Sequence, residues 1–200
     1  MKILCIGDSL TEGDYGVYGK SGIANVKEKN YPYFLSQILK IPVINEGKCG
    51  FTASAYLEYY LSKSSVYPDV SLIRVMLGTN GGISTEKDSR GAADYDRLIC
   101  KLKSDYPKAK LAICTAPHAT DDPSKSNYGY AGNVRSANEF IYKYAKDNSI
   151  LLFDAFSIPR FSAENEAVMQ PNDGLHFSED GYKVLAEFIA GKIIEEKCIY

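Results

Sequence analysis

Three side chains in this sequence suit nucleophilic catalysis. Ser9 follows a short apolar run at the N-terminus, within Gly7-Asp8-Ser9-Leu10. A serine hydroxyl is a weak nucleophile until a base takes its proton. His176 is one of only two histidines, and a neutral imidazole suits that task near pH 7. Asp173 stands just ahead of it in Asp173-Gly174-Leu175-His176. A carboxylate so placed in one loop can hold the imidazole in the required tautomer and stabilise the imidazolium. Taken singly, each residue has a plainer reading. Ser9 then serves as a turn residue or helix N-cap, and His176 as a surface or capping histidine.

The elements that must carry these residues alternate along the chain. Short apolar runs rich in Ile, Leu or Val predict strands over 2–6, 42–45, 70–77, 110–115 and 150–154. Their near-continuous apolar character predicts burial on both faces, as in a parallel sheet. Helices are predicted between them. One starts at Asn30-Tyr31-Pro32 with Phe34, Leu35, Ile38 and Leu39 on one face. A second covers 53–62 with Ala53, Tyr56, Leu57, Tyr60 and Leu61 inward, and a third carries Tyr95, Leu98, Ile99 and Leu102. The fourth covers 134–146, and the last covers 178–197 with Ser178 as N-cap. This pattern predicts one doubly wound α/β domain over residues 1–200, with five parallel strands and helices on both faces.

Such sheets place their sites beyond the carboxyl ends of the strands. Four segments stand there: Gly7 to Gly13, Asn45 to Thr52, Gly78 to Gly82, and the loop from Asp173 to His176 ahead of the last helix. They are expected to converge on one edge of the sheet.

In these four segments the chain resembles the GDSL, or SGNH, hydrolase family. Gly7-Asp8-Ser9-Leu10 matches its nucleophile motif, Asn45-x-Gly47-x-x-Gly50 its second block, Gly78-x-Asn80 its third and Asp173-x-x-His176 its last. The blocks stand in the family's order and span nearly the whole chain. The resemblance implies a flavodoxin-like fold and a serine esterase without cofactor or metal. It also implies three oxyanion donors: the backbone N–H groups of Ser9 and Gly50 and the side-chain amide of Asn80. Glycine at position 50 suits a close approach of backbone to substrate, and Gly47 reads as structural. One departure stands out. The family's third block continues with Asp, and Gly81 occupies that place here, which leaves open how the Asn80 loop is held.

Composition narrows the partners. The chain has 200 residues, a formal charge of -2 and no basic run beyond isolated pairs, so no nucleic-acid footprint is visible. No apolar run reaches the roughly 18 residues of a membrane span. The N-terminal run is too short for a signal-peptide core, and a cytoplasmic location is the expectation. The five cysteines, Cys5, Cys49, Cys100, Cys114 and Cys198, are widely spaced and contain no C-x-x-C pair, which argues against a disulfide framework or zinc site. Cys5 and Cys114 read as core, and Cys49 as a small loop residue. His118 reads as a loop histidine and Asp154 as a turn cap or brace. Tyr15, Tyr18, Tyr128 and Tyr130 are candidates for an aromatic rim, or rings packed with their hydroxyls in water.

The polar stretches 14–30 and 120–133 do not resemble a lipid groove. The expected substrate is a small acyl ester, an acetyl ester and a carbohydrate O-acetyl group among them. The alternatives are a lysophospholipase- or thioesterase-type acyl hydrolase, and a non-catalytic module binding glycan or phosphate. The sequence leaves the oligomeric state open.

Overall fold

The computed structural model describes residues 1–17, 28–63 and 65–199. Five strands form one parallel sheet: β1 (Lys2–Gly7), β2 (Val43–Gly47), β3 (Val70–Met76), β4 (Lys110–Cys114) and β5 (Leu151–Phe153). Their order is β2-β1-β3-β4-β5. The chain winds outward from β1 to β2, then crosses back over β1 to continue through β3, β4 and β5. The winding therefore reverses between β1 and β3, and the loops leaving these two strands diverge to open a crevice. Ser9 follows β1 and Asn80 follows β3, so topology alone places both at that crevice.

The helices are α1 (Ser9–Glu12), α2 (Tyr31–Leu39), α3 (Ala53–Ser62), α4 (Arg90–Asp105), α5 (Tyr130–Asp147), α6 (Glu166–Met169) and α7 (Glu179–Glu195). Alternate strand residues feed two cores, as a strand's period of two requires. Ile3, Cys5, Leu72 and Cys114 pack with Tyr31 and Leu35 of α2 and with Leu185, Ile189 and Ile193 of α7. Leu4, Ile6, Ile73 and Ile113 pack with Tyr56 of α3, Leu98 and Leu102 of α4 and Ile141 of α5. Each fully buried Leu or Ile contributes about 1.5–3 kcal/mol, so the two layers hold the sheet as a rigid platform.

Two predicted core residues lie outside these cores. Ile38 is 45% exposed and Leu61 51%. Both stand in the last turn of their helices, where Leu39 and Tyr60 take the core-facing positions instead. One core residue runs against the apolar pattern. Arg74 of β3 is fully buried; its guanidinium lies over the Tyr31 ring at 4.6 Å and donates to the Tyr31 hydroxyl and to Cys114 Sγ.

Two glycines let α1 sit directly on the strand ends. A Cβ at Gly7 would fall 2.0 Å from Thr11 Oγ1, and one at Gly47 would fall 2.0 Å from the Glu12 nitrogen. Gly7 and Gly47 are paired neighbours in the sheet. Any larger residue at either position would push α1, and Ser9 with it, off the sheet.

Candidate active site

Ser9 is the first residue of α1, at an abrupt strand-to-helix turn. Asp8 caps this helix, its Oδ1 accepting the Leu10 N–H at 3.0 Å. Gly13 ends the helix in a left-handed conformation, φ 105°. The tightness of this turn leaves Ser9 Oγ at the surface of the crevice.

His176 enters from the loop before α7, which Ser178 caps by accepting the Gly181 N–H at 3.1 Å. Its Nε2 lies 2.9 Å from Ser9 Oγ, and its Nδ1 lies 2.6 Å from Asp173 Oδ2. A carboxylate at Nδ1 keeps the proton there, leaving Nε2 to accept the serine proton. Asp173 is itself fixed. Oδ1 accepts the N–H groups of Leu175 at 3.0 Å and His176 at 2.9 Å. The turn that makes this possible needs Gly174 at φ +79°, where a Cβ would strike Thr120.

The electrostatics follow from this packing. Burial alone would lower the His176 pKa, but the hydrogen bond and charge of Asp173 outweigh it, with Asp14 and Asp8 adding to the field; the net shift is upward from 6.5. Burial works to raise Asp173, and its bonds to His176 and to the loop backbone overcome that, holding it below the usual carboxylate range. Asp8 goes the other way. It is fully buried, and desolvation raises its pKa despite the nearby Thr79 hydroxyl. Among the described residues, neither Asp8 Oδ2 nor Thr79 Oγ1 makes a well-formed hydrogen bond.

The expected oxyanion donors lie on the same crevice. Gly50 occupies the third position of a turn closed by Phe51 N–H to Lys48 O at 3.1 Å. Its φ is +76°, and among the described residues a Cβ there would meet nothing within 4 Å. Glycine is therefore needed for the turn's backbone conformation. Asn80 Nδ2 donates to the Phe51 carbonyl at 3.0 Å. That bond uses one hydrogen of the amide, which carries two, and it ties the second and third blocks together.

The Gly81 departure has a structural answer. Gly81 has φ +82° and donates its N–H to Gly78 O at 3.0 Å. A Cβ on it would sit 3.2 Å from the Asn133 amide. Asn133, on the second turn of α5, reaches the Thr79 carbonyl at 3.4 Å. Below, Gly91 packs against Gly82, and Ser89 Oγ donates to Gly82 O at 3.1 Å. The loop is held from α4 and α5 rather than by a side chain at position 81.

Ser9, Gly50, Asn80, Asp173 and His176 thus line one cleft of about 470 Å³. Cys49, Ser126, Asn127, Tyr130 and Asn172 complete its polar wall, and Leu175 adds the aliphatic contact. Sequence reasoning missed Asn127, which donates Nδ2–H to Asp173 Oδ2 at 2.8 Å. No motif marks it, since it lies far from Asp173 in the chain. Of the tyrosines, Tyr130 lines the cleft. Tyr15 stacks on Tyr182, Tyr128 is exposed, and Tyr18 lies outside the described residues. His118 and Asp154 are absent from the cleft wall. The His118 carbonyl accepts from Gln170 at 2.6 Å, and Asp154 braces Thr115 and Tyr142.

Comparison with known proteins bears on the fold and the family. Among curated proteins none matches the chain. Solved structures do. An aryl esterase from M. smegmatis superposes with a TM-score of 0.77 at 21% identity, over 97% of this chain and 98% of that one. A carbohydrate acetylesterase from Sinorhizobium meliloti gives 0.74 at 21%, over 98% and 99%. A member of the lipolytic protein G-D-S-L family from Veillonella parvula gives 0.66 at 19%, over 98% and 97%. At such identities these likenesses speak to the fold. The family model for the GDSL-like Lipase/Acylhydrolase family matches residues 5–184. With that match over most of its length, the chain belongs to the GDSL-like Lipase/Acylhydrolase family and is a serine ester hydrolase.

Proposed function

We propose that this protein hydrolyses small acyl esters, acetyl esters foremost, through an acyl-Ser9 intermediate. The observation that carries the proposal is the unbroken hydrogen-bond chain from Ser9 Oγ through His176 to Asp173 at the wall of the cleft. His176 Nε2 takes the Ser9 proton as Oγ attacks the ester carbonyl. The tetrahedral oxyanion is met by the backbone N–H groups of Ser9 and Gly50 and by the Asn80 amide. Each such donor contributes about 2.7–4 kcal/mol in the transition state. His176 then passes the proton to the departing alcohol oxygen. Water, deprotonated by the same imidazole, attacks the acyl carbonyl and frees Ser9. Asp173 holds Nδ1 and balances the imidazolium charge in both halves.

The acyl and alcohol preferences rest on the wall of the cleft. Asn80, Ser126, Asn127 and Asn172 share the wall with a single aliphatic side chain, Leu175, which favours a short acyl group and a hydroxyl-rich alcohol over an alkyl chain. A carbohydrate O-acetyl group fits that description, with Tyr130 on the same wall. A phosphate- or glycan-binding module would not need the Asp173–His176 pair. Turnover of p-nitrophenyl esters from acetate to octanoate tests the reading. Rates should fall with chain length; rates that rise steadily toward octanoate refute the short-acyl assignment.

A further inference from the structure

Asp173 Oδ2 receives two hydrogen bonds: His176 Nδ1 at 2.6 Å and Asn127 Nδ2 at 2.8 Å. Oδ1 is already occupied by the Leu175 and His176 N–H groups, so the Asn127 amide completes a four-donor cradle around one carboxylate. The 120–129 segment is built to deliver that amide. Thr120 N–H donates to Gly174 O at 2.7 Å, Asn127 N–H donates to Asp173 O at 3.3 Å, and Tyr130 N–H donates to Asn127 O at 3.0 Å. Thr120 Oγ1 and Asp122 Oδ1 turn the intervening chain by accepting the N–H groups of Asp122 and Ser124. Two main-chain bonds thus dock this loop on the acid loop, and one side chain crosses to the carboxylate.

We propose that Asn127 is a positioning residue for the reaction, acting through Asp173 on His176. This rests on the Ser9–His176–Asp173 reading above. The Asn127 amide fixes the plane of the carboxylate so that Oδ2 faces Nδ1. It also stabilises the ionised form of Asp173, so that the proton stays on the imidazole when His176 becomes cationic. Asn127 contacts the acid from the cleft side, so the same residue couples the wall of the cleft to the basicity of His176.

The test is the rate at which a fluorophosphonate labels Ser9, and the steady-state constants for p-nitrophenyl acetate, in Asn127→Ala and Asn127→Asp from pH 5 to 10. The docking bonds of residue 127 are main-chain and survive both changes, and thermal melting checks that the fold persists. A hydrogen bond to a charged group corresponds to roughly 10–100-fold in rate. Asn127→Ala should lose that much in labelling rate and kcat with KM nearly unchanged. Asn127→Asp keeps the shape but sets a carboxylate against Oδ2. It should lose at least as much above pH 7, with its ascending limb moved to higher pH, because the added negative charge favours the imidazolium. Wild-type rate and pH limb in both variants, or a change confined to KM, would overturn the proposal. Failure of the underlying triad reading looks different: the probe would leave Ser9 unmodified in the unaltered protein.

Discussion

Gly16 lies against the carboxylate of Asp173: a Cβ at position 16 would come within 2.3 Å of Oδ2. Its φ of +66° is also one that side chains rarely adopt. The Gly16 N–H is held by Asp14 Oδ1 at 2.9 Å, and Asn172 Nδ2 clasps the Tyr15 carbonyl at 2.8 Å. The segment after α1 is therefore tied to the acid loop through Asn172, with Gly16 against the carboxylate. Gly16→Ala should displace the carboxylate and lower kcat for p-nitrophenyl acetate by roughly 100-fold. Unchanged kcat would show that the acid loop yields without consequence.

Asn80→Ala removes the proposed side-chain oxyanion donor and the bond to Phe51. It should lower kcat by roughly 100–1000-fold while KM stays close to its original value. A change confined to KM would make Asn80 a substrate-positioning group instead.

The pH profile should carry the imprint of the acids around His176. Activity needs neutral imidazole, so kcat/KM should rise with pH through the His176 pKa, at a midpoint above the ordinary 6.5. Asp173, Asp14 and Asp8 all favour the cation and together outweigh burial. Asp8→Asn removes one of these charges and should move the limb to lower pH. It should also raise the melting temperature near neutral pH. A buried acid whose pKa is raised contributes stability at low pH and loses it as pH climbs past the unfolded value of about 3.9. The gain should therefore vanish in strong acid. An unmoved limb would place Asp8 outside the electrostatics of the site.

Asp173 and His176 should behave as one unit. Asp173→Asn permits the wrong tautomer, and His176→Ala removes the base. The double variant should be little slower than His176→Ala alone. Fully additive losses in kcat would show Asp173 acting independently.

Much of this was legible in the sequence, for identifiable reasons. The strands showed as apolar runs because both faces of a parallel sheet are buried. Ser178 and Asn30 marked helix starts because their side chains cap the first turn. The α5 helix begins at Tyr130, earlier than predicted; Gly129 offers no side-chain cap that would mark the start in the sequence. The four-residue α1 and α6 carry too few residues to show a period. The residues of the four blocks were readable because each stands beside a strand end or a helix start. Asn127, Asn133 and Gly16 were not, since their roles depend on which loops the fold brings together. Gly50 was picked out for close approach to substrate; the structure shows a turn that needs positive φ.

The central claim is that Ser9 is the nucleophile. It is tested most directly by mass spectrometry of the protein after fluorophosphonate treatment, in parallel with Ser9→Ala. The account predicts a single adduct on Ser9, loss of esterase activity in step with labelling, and neither adduct nor activity in Ser9→Ala. An adduct on another residue, with full activity retained in Ser9→Ala, would contradict it.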